Sequence, residues 1–183
     1  MEDIINSVGK FLDPVKIITQ LELEKGCNVA DFGCGPGYFT FPFAQAVGED
    51  GKVYSFDILP QVLETVTSKA KFSGIVNIIA RRANLENAGG TKLEDGSIDW
   101  VILKDILFQN QKKEEILKEA YRILKPEGRA LVIEWNNAEL SIGPSSELRI
   151  SESRLKEMLL AEKFSIEKSI EAGSFHYAFI AKK

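Results

Sequence analysis

The run Asn28-Val29-Ala30-Asp31-Phe32 passes directly into Gly33-Cys34-Gly35-Pro36-Gly37-Tyr38, and the chain is organised around this junction. The first five residues read as a short buried strand, and the stretch from Tyr38 to Val47 reads as a helix, so three glycines occupy the turn between them. Glycine at such a turn admits positive φ and lets backbone approach a ligand closely, while the helix amino end adds free N–H groups. A bound ligand is expected there. The spacing G-x-G-x-G departs from the dinucleotide fingerprint G-x-G-x-x-G, because Tyr38 fills a position which that fingerprint wants small. It is not a phosphate-binding P-loop either, since G-K-[ST] is missing from its end.

Outward from this turn, apolar strand-like runs alternate with amphipathic helical runs. Strands are predicted at Asn28 to Phe32, Lys52 to Phe56, Asn77 to Arg81, Asp99 to Leu103 and Arg129 to Trp135. Helices are predicted at Val15 to Leu23, Tyr38 to Val47, Gln61 to Phe72, Lys113 to Leu124 and Glu152 to Glu162. In the fourth helix Ile116, Leu117, Ala120, Ile123 and Leu124 share one face, and Lys125-Pro126-Glu127-Gly128 stops it. This order predicts an α/β fold with a doubly wound, mostly parallel sheet and helices on both faces. Phe164 to Ile170 and Phe175 to Ala181, joined by Glu171-Ala172-Gly173-Ser174, read as a hairpin, so the seven-stranded sheet is expected to end antiparallel. Asn84 to Ser97 and Asn136 to Ile150 are longer than ordinary connections and are candidate binding loops.

The 183 residues suit a single domain spanning 1–183. With 44% hydrophobic and 27% charged residues, the composition excludes disordered, collagen-like and disulfide-scaffold classes. A formal charge of −4 argues against a nucleic-acid partner, whose affinity would rest on Lys and Arg. Cys27 and Cys34 have no histidine near them, so neither a metal site nor a disulfide framework is expected. Met1-Glu2-Asp3 opens without a basic n-region and apolar h-region, and no run reaches the length of a membrane span, which places the chain in the cytoplasm as an expectation.

The pattern Asp31-x-Gly33-x-Gly35-x-Gly37 on a strand-to-helix turn resembles motif I of the class I methyltransferases that use S-adenosyl-L-methionine. Further matches follow in order. Strand two ends at Asp57 in Phe56-Asp57-Ile58, where a carboxylate accepts ribose hydroxyls. Ala83-Asn84-Leu85-Glu86 resembles the family's adenine-binding position, with Asn84 where the family often has Asp and the contacting residue left open among Asn84, Leu85 and Glu86. Asp95-Gly96-Ser97-Ile98-Asp99-Trp100-Val101 looks like the family's approach to strand four, and Leu124-Lys125-Pro126-Glu127-Gly128 looks like its entry to strand five. The chain is most similar to small single-domain members of the ubiquinone/menaquinone C-methyltransferase type (methyltransferase type 11/31). Arsenite methyltransferases share the core, but their chemistry needs several cysteines and only two stand here.

The resemblance implies a donor site formed by Asp31, Gly33, Gly35, Gly37, Tyr38, Asp57, Ile58, Asn84, Leu85 and Lys104. Methyl transfer is an in-line displacement that positioning alone accelerates, and a base is needed only when the acceptor loses a proton. The candidates are Asp105, at the motif IV position, Glu134 near the end of strand five, and His176, the single histidine, which opens the last strand on the crevice side. Each has a structural alternative: a helix cap or solvated turn for Asp105, a helix-facing partner for Glu134, a satisfied hairpin residue for His176. The implied function is methyl transfer to a small-molecule substrate. A protein or RNA methyltransferase and a non-catalytic donor-binding module are the other readings.

Overall fold

The computed structural model describes residues 11–137 and 142–183. The opening Met1-Glu2-Asp3 and part of the Asn136 to Ile150 loop lie outside the described residues. Strands β1 (Asn28–Phe32), β2 (Lys52–Asp57), β3 (Ile78–Arg82), β4 (Ile98–Lys104), β5 (Leu124–Trp135), β6 (Ser165–Ile170) and β7 (His176–Lys182) form one sheet in the order β3-β2-β1-β4-β5-β7-β6. The pairs among the first five strands are parallel, and β7 runs antiparallel to both β5 and β6. Helices α1 (Pro14–Ile18), α2 (Thr40–Val47), α3 (Pro60–Phe72), α4 (Lys113–Ile123) and α5 (Glu152–Ala161) cover it. This is the predicted doubly wound α/β architecture with its terminal hairpin.

The central strands carry apolar side chains on both faces, as parallel strands buried under helices must. Ala30, Phe32, Val101 and Leu103 pack into one core with Ile116, Leu117 and Ala120 of α4. Val29, Ile102 and Ile133 pack into another with Ile17, Phe43 and Val47. Strand order reverses between β1, which leads outward to β2 and β3, and β4 on its other side. A crevice opens at the carboxyl ends of the strands at such a reversal.

Most boundaries shift by a residue or two, and the larger departures from the sequence expectation have local reasons. The first helix is shorter than Val15 to Leu23: Asp13 accepts from the amides of Val15 and Lys16, and the helix closes at Thr19, whose hydroxyl donates to the carbonyl of Lys16. The fourth helix ends one residue early because Leu124 pairs with Ile98 and already belongs to β5. The stop at Lys125-Pro126-Glu127-Gly128 is thus an irregular strand segment, with Glu127 at φ 67° and a register shift between Ile98 and Trp100.

Candidate functional site

The glycine turn is built from beneath. Asp31 is buried under it, and Thr40 at the start of α2 donates its hydroxyl to Asp31 Oδ2 at 2.6 Å, while Ser55 on β2 donates to Thr40 Oγ1 at 3.2 Å. Burial pushes the Asp31 carboxyl up to about 6, with the Thr40 hydrogen bond opposing. Amides of Gly33 and Cys34 both donate to the Phe56 carbonyl at 2.8 and 2.9 Å, tying the turn to the end of β2. At Gly33 a side chain would collide with Ile106, and at Gly37 with the ring of Phe41. Gly35 differs: its φ is +50° and an added Cβ would meet no protein atom within 4 Å. Packing does not demand glycine there; the left-handed φ favours it, and the backbone faces open space.

That space is a crevice of about 390 Å³. Of the residues singled out from sequence it is walled by Gly33, Gly35, Asp57, Ile58, Ala83, Asn84, Leu85, Glu86, Lys104 and Asp105. Asp31, Gly37 and Tyr38 stand outside the wall; Tyr38 is half-exposed and its hydroxyl donates to the carbonyl of Leu12. The Asp57 carboxylate, at the tip of β2, accepts from the amides of Gly35 at 3.2 Å and Leu59 at 3.0 Å. Glu86 accepts from the amides of Gln111 and Lys112 and so serves the amino end of α4. Asn84 Oδ1 accepts from the amide of Glu86 at 3.0 Å. The sequence reading missed Leu59, Val62, Ile106, Gln109 and Asn110, which complete the wall. The one signal the sequence carried was Leu59, an apolar residue directly after the predicted Asp57-Ile58.

At the far end of the crevice the three proposed acid-base residues meet. Asp105 follows β4 at φ 53°, its amide held by the Ile133 carbonyl at 2.9 Å, and it caps no helix. Its Oδ2 lies 3.3 Å from His176 Nε2 and is paired with Lys104 Nζ. The His176 ring stacks against Trp135, its cross-strand neighbour, with centroids 4.3 Å apart. Glu134 is fully buried, and its Oε1 accepts from the amide of Leu107 at 2.9 Å, fixing the turn after Asp105. Burial first, and the Asp105 charge second, push the Glu134 carboxyl up to about 8. Asp105 Oδ1, Glu134 Oε2 and His176 Nδ1 are the only buried side-chain polar atoms without a hydrogen-bond partner among the described residues.

Such a crevice at the strand reversal, walled by a glycine turn and an acid on the neighbouring strand, is the layout of a nucleoside-binding α/β domain. Residues 23–177 match the family described as Methyltransferase domain, and the chain belongs to that family. A demethylmenaquinone methyltransferase of Lactococcus lactis is 34% identical over 156 residues, 78% of this chain and 61% of the relative. An arsenite methyltransferase of Aquipseudomonas alcaligenes is 32% identical over 110 residues, 58% of this chain and 32% of the relative. The chain therefore spans less than two thirds of the length of these curated relatives. Its fold is that of a SAM dependent methyltransferase from Aquifex aeolicus, with a TM-score of 0.86 at 24% identity, covering 94% of this chain and 90% of that one.

Proposed function

We propose that this protein transfers a methyl group from S-adenosyl-L-methionine to a small-molecule acceptor, residues 1–183 acting as one methyltransferase domain. The observation that carries the reading is the bare backbone at Gly35, facing open space at the strand reversal with Asp57 beside it. The residues suit the donor. Asp57 offers carboxylate oxygens to two ribose hydroxyls, the apolar side chains of Ile58, Leu59, Val62 and Leu85 suit a flat base, and the Asn84 amide suits its polar edge. Lys104 brings a cation to the opposite end for a carboxylate. Asp31, Gly37 and Tyr38 act from behind, by setting the shape of the turn. When bound, the donor supplies a methyl carbon activated by positive sulfur, and the wall's part is to hold an acceptor in line with it.

A small organic acceptor is favoured over a macromolecule. The curated relatives are named for arsenite and demethylmenaquinone, both small. Cys27 and Cys34 do not make an arsenic-binding set, since Cys34 is buried in the glycine turn and burial raises its thiol far above the range where thiolate forms. The cluster Lys69, Lys71, Arg81 and Arg82 is exposed, with Arg82 donating to the Ile58 carbonyl and Lys69 over the Phe41 ring, and it stands within a chain of formal charge −4, which disfavours a nucleic-acid acceptor. No helix among the described residues is long and apolar enough to cross a membrane. The test is incubation with methyl-labelled S-adenosylmethionine and a cell extract. Label in dialysable compounds supports the reading; label confined to protein or RNA, or absent despite donor binding, overturns it.

A further inference from the structure

The crevice is walled by segments from distant parts of the chain, and a closed circuit of contacts runs around it. The Gly35 amide donates to the Asp57 side chain and the Ala83 amide to the Asp57 carbonyl at 3.0 Å, which joins the glycine turn to the tip of β2 and that tip to the turn after β3. Within that turn Asn84 Oδ1 accepts from the Glu86 amide, and the Asn84 carbonyl accepts from the Asn87 amide at 3.2 Å, so the turn is folded on itself. Glu86 then reaches out of it: Oε1 accepts from the amides of Gln111 at 2.9 Å and Lys112 at 2.8 Å. The circuit closes at Ile106, which packs so tightly on Gly33 that a Cβ there would lie 2.8 Å from its Cδ1.

The stretch from Asp105 to Lys112 joins β4 to α4 and gives the wall Asp105, Ile106, Gln109 and Asn110. It belongs to no strand or helix, so its placement depends on individual ties. Gln109 and Asn110 donate back to the carbonyls of Asp105 and Ile106, which curls the stretch without fixing it to the fold. At the β4 end the Asp105 amide is held by the Ile133 carbonyl and the Leu107 amide by Glu134. At the α4 end the ties are the two amides on Glu86. Lys112 stands at the cap position of α4 and makes no capping bond, since an ammonium has nothing to accept with. Glu86 supplies the missing acceptor from 25 residues away, where its negative charge also suits the amino end of the helix.

We propose that Glu86 is a positioning residue of the donor site: by holding the amides of Gln111 and Lys112 it fixes the wall from Asp105 to Asn110 against the turn that carries Asn84 and Leu85, and so sets the width of the crevice for S-adenosyl-L-methionine. The proposal rests on the methyl-transfer reading and deepens it by assigning the tie that shapes the donor's site before the donor arrives. Glu86 acts through the wall, because the oxygen it commits is engaged by the two amides. Without that oxygen the wall keeps its anchors at Ile133 and Glu134 and its far end is released. The donor then has to order the far end as it binds, and that ordering is subtracted from its affinity.

Glu86→Ala removes the accepting oxygen and Glu86→Gln keeps one, and the two variants separate a tie from a ligand contact and from a helix cap. S-adenosylhomocysteine is titrated calorimetrically into wild type and both variants. Amide hydrogen exchange of residues 105–112 is followed in the same proteins without ligand, at a temperature where circular dichroism shows each to be folded. Glu86→Ala should bind about tenfold more weakly or worse and exchange about tenfold faster or more across 105–112, whereas Glu86→Gln should stay within about threefold of wild type in both. Should Glu86→Ala not fold, Glu86→Asp, one methylene shorter, takes its place with the same expected directions. Weaker binding with unchanged exchange overturns the proposal, because Glu86 would then touch the ligand itself. Faster exchange with unchanged affinity overturns it as well, because Glu86 would then serve α4 alone. So does a Glu86→Gln protein that behaves like Glu86→Ala. Wild type that fails to bind S-adenosylhomocysteine overturns the methyl-transfer reading, and this assignment falls with it, while the exchange comparison still reports whether Glu86 holds the wall.

Discussion

Replacing Glu134 by Gln changes one ionisation and almost no shape. Glu134 is fully buried, its Oε1 receives the Leu107 amide and its Oε2 has no partner. Gln keeps the accepting oxygen and puts a neutral amide in place of Oε2. In the folded protein the carboxyl stays protonated up to about pH 8, against an ordinary value of 4.5. Between those values the folded state binds a proton that the unfolded chain has released, so stability falls as pH rises through the window. At about 1.4 kcal/mol per unit the full window would amount to roughly 5 kcal/mol. Local relaxation and water entry reduce the penalty of a buried charge, and roughly 2 to 3 kcal/mol is the expected loss. The variant lacks this slope. Urea unfolding of both proteins from pH 5 to pH 8.5 should therefore give curves that agree within about 1 kcal/mol at pH 5 and diverge in favour of Glu134→Gln at high pH. Asp31 contributes a slope of the same sign up to about pH 6, but it is present in both proteins and cancels in the difference. A difference that stays flat across the range, or that grows in favour of wild type, would refute the assignment of a neutral buried acid.

Two further outcomes follow from the buried polar groups. Thr40→Val removes the hydroxyl that donates to Asp31 and accepts from Ser55; a loss of about 1 to 3 kcal/mol is expected, and it should increase above pH 6, where Asp31 must ionise without its donor. Glu119→Ala strips the acceptor from the amides of Gly89 and Thr91 and leaves Arg122 with only Asp95 and the Leu93 carbonyl as its main partners, and chemical denaturation should register a loss of about 3 kcal/mol, well beyond a surface ion pair.

The alternation of strand and helix was legible because central parallel strands are apolar throughout, as in Val101 to Leu103, while α4 keeps a wet face in Lys118 and Glu115. The glycine turn was legible for a different reason: three glycines in five residues mark a turn with unusual backbone, and while close packing accounts for Gly33 and Gly37, at Gly35 packing requires nothing. What the sequence concealed are contacts made across long separations. His176 and Asp105 are 71 residues apart, and only the antiparallel return of β7 along β5 brings them together. The partner of Glu134 is a backbone amide, which leaves no trace in residue identity. The start of β5 was hidden because Pro126 and Gly128 look like a turn, while the pairing of Leu124 with Ile98 makes them part of an irregular strand.

The account depends most on donor binding over Gly35, and Gly35→Ala probes it without disturbing the core. The added methyl meets no protein atom, and the left-handed φ costs about 1 kcal/mol of stability. Calorimetric titration with S-adenosylhomocysteine should give saturable binding to wild type and at least a tenfold weaker affinity for Gly35→Ala, since the methyl enters the ligand's space. Equal affinity in the two proteins, or no binding to wild type, would contradict the account.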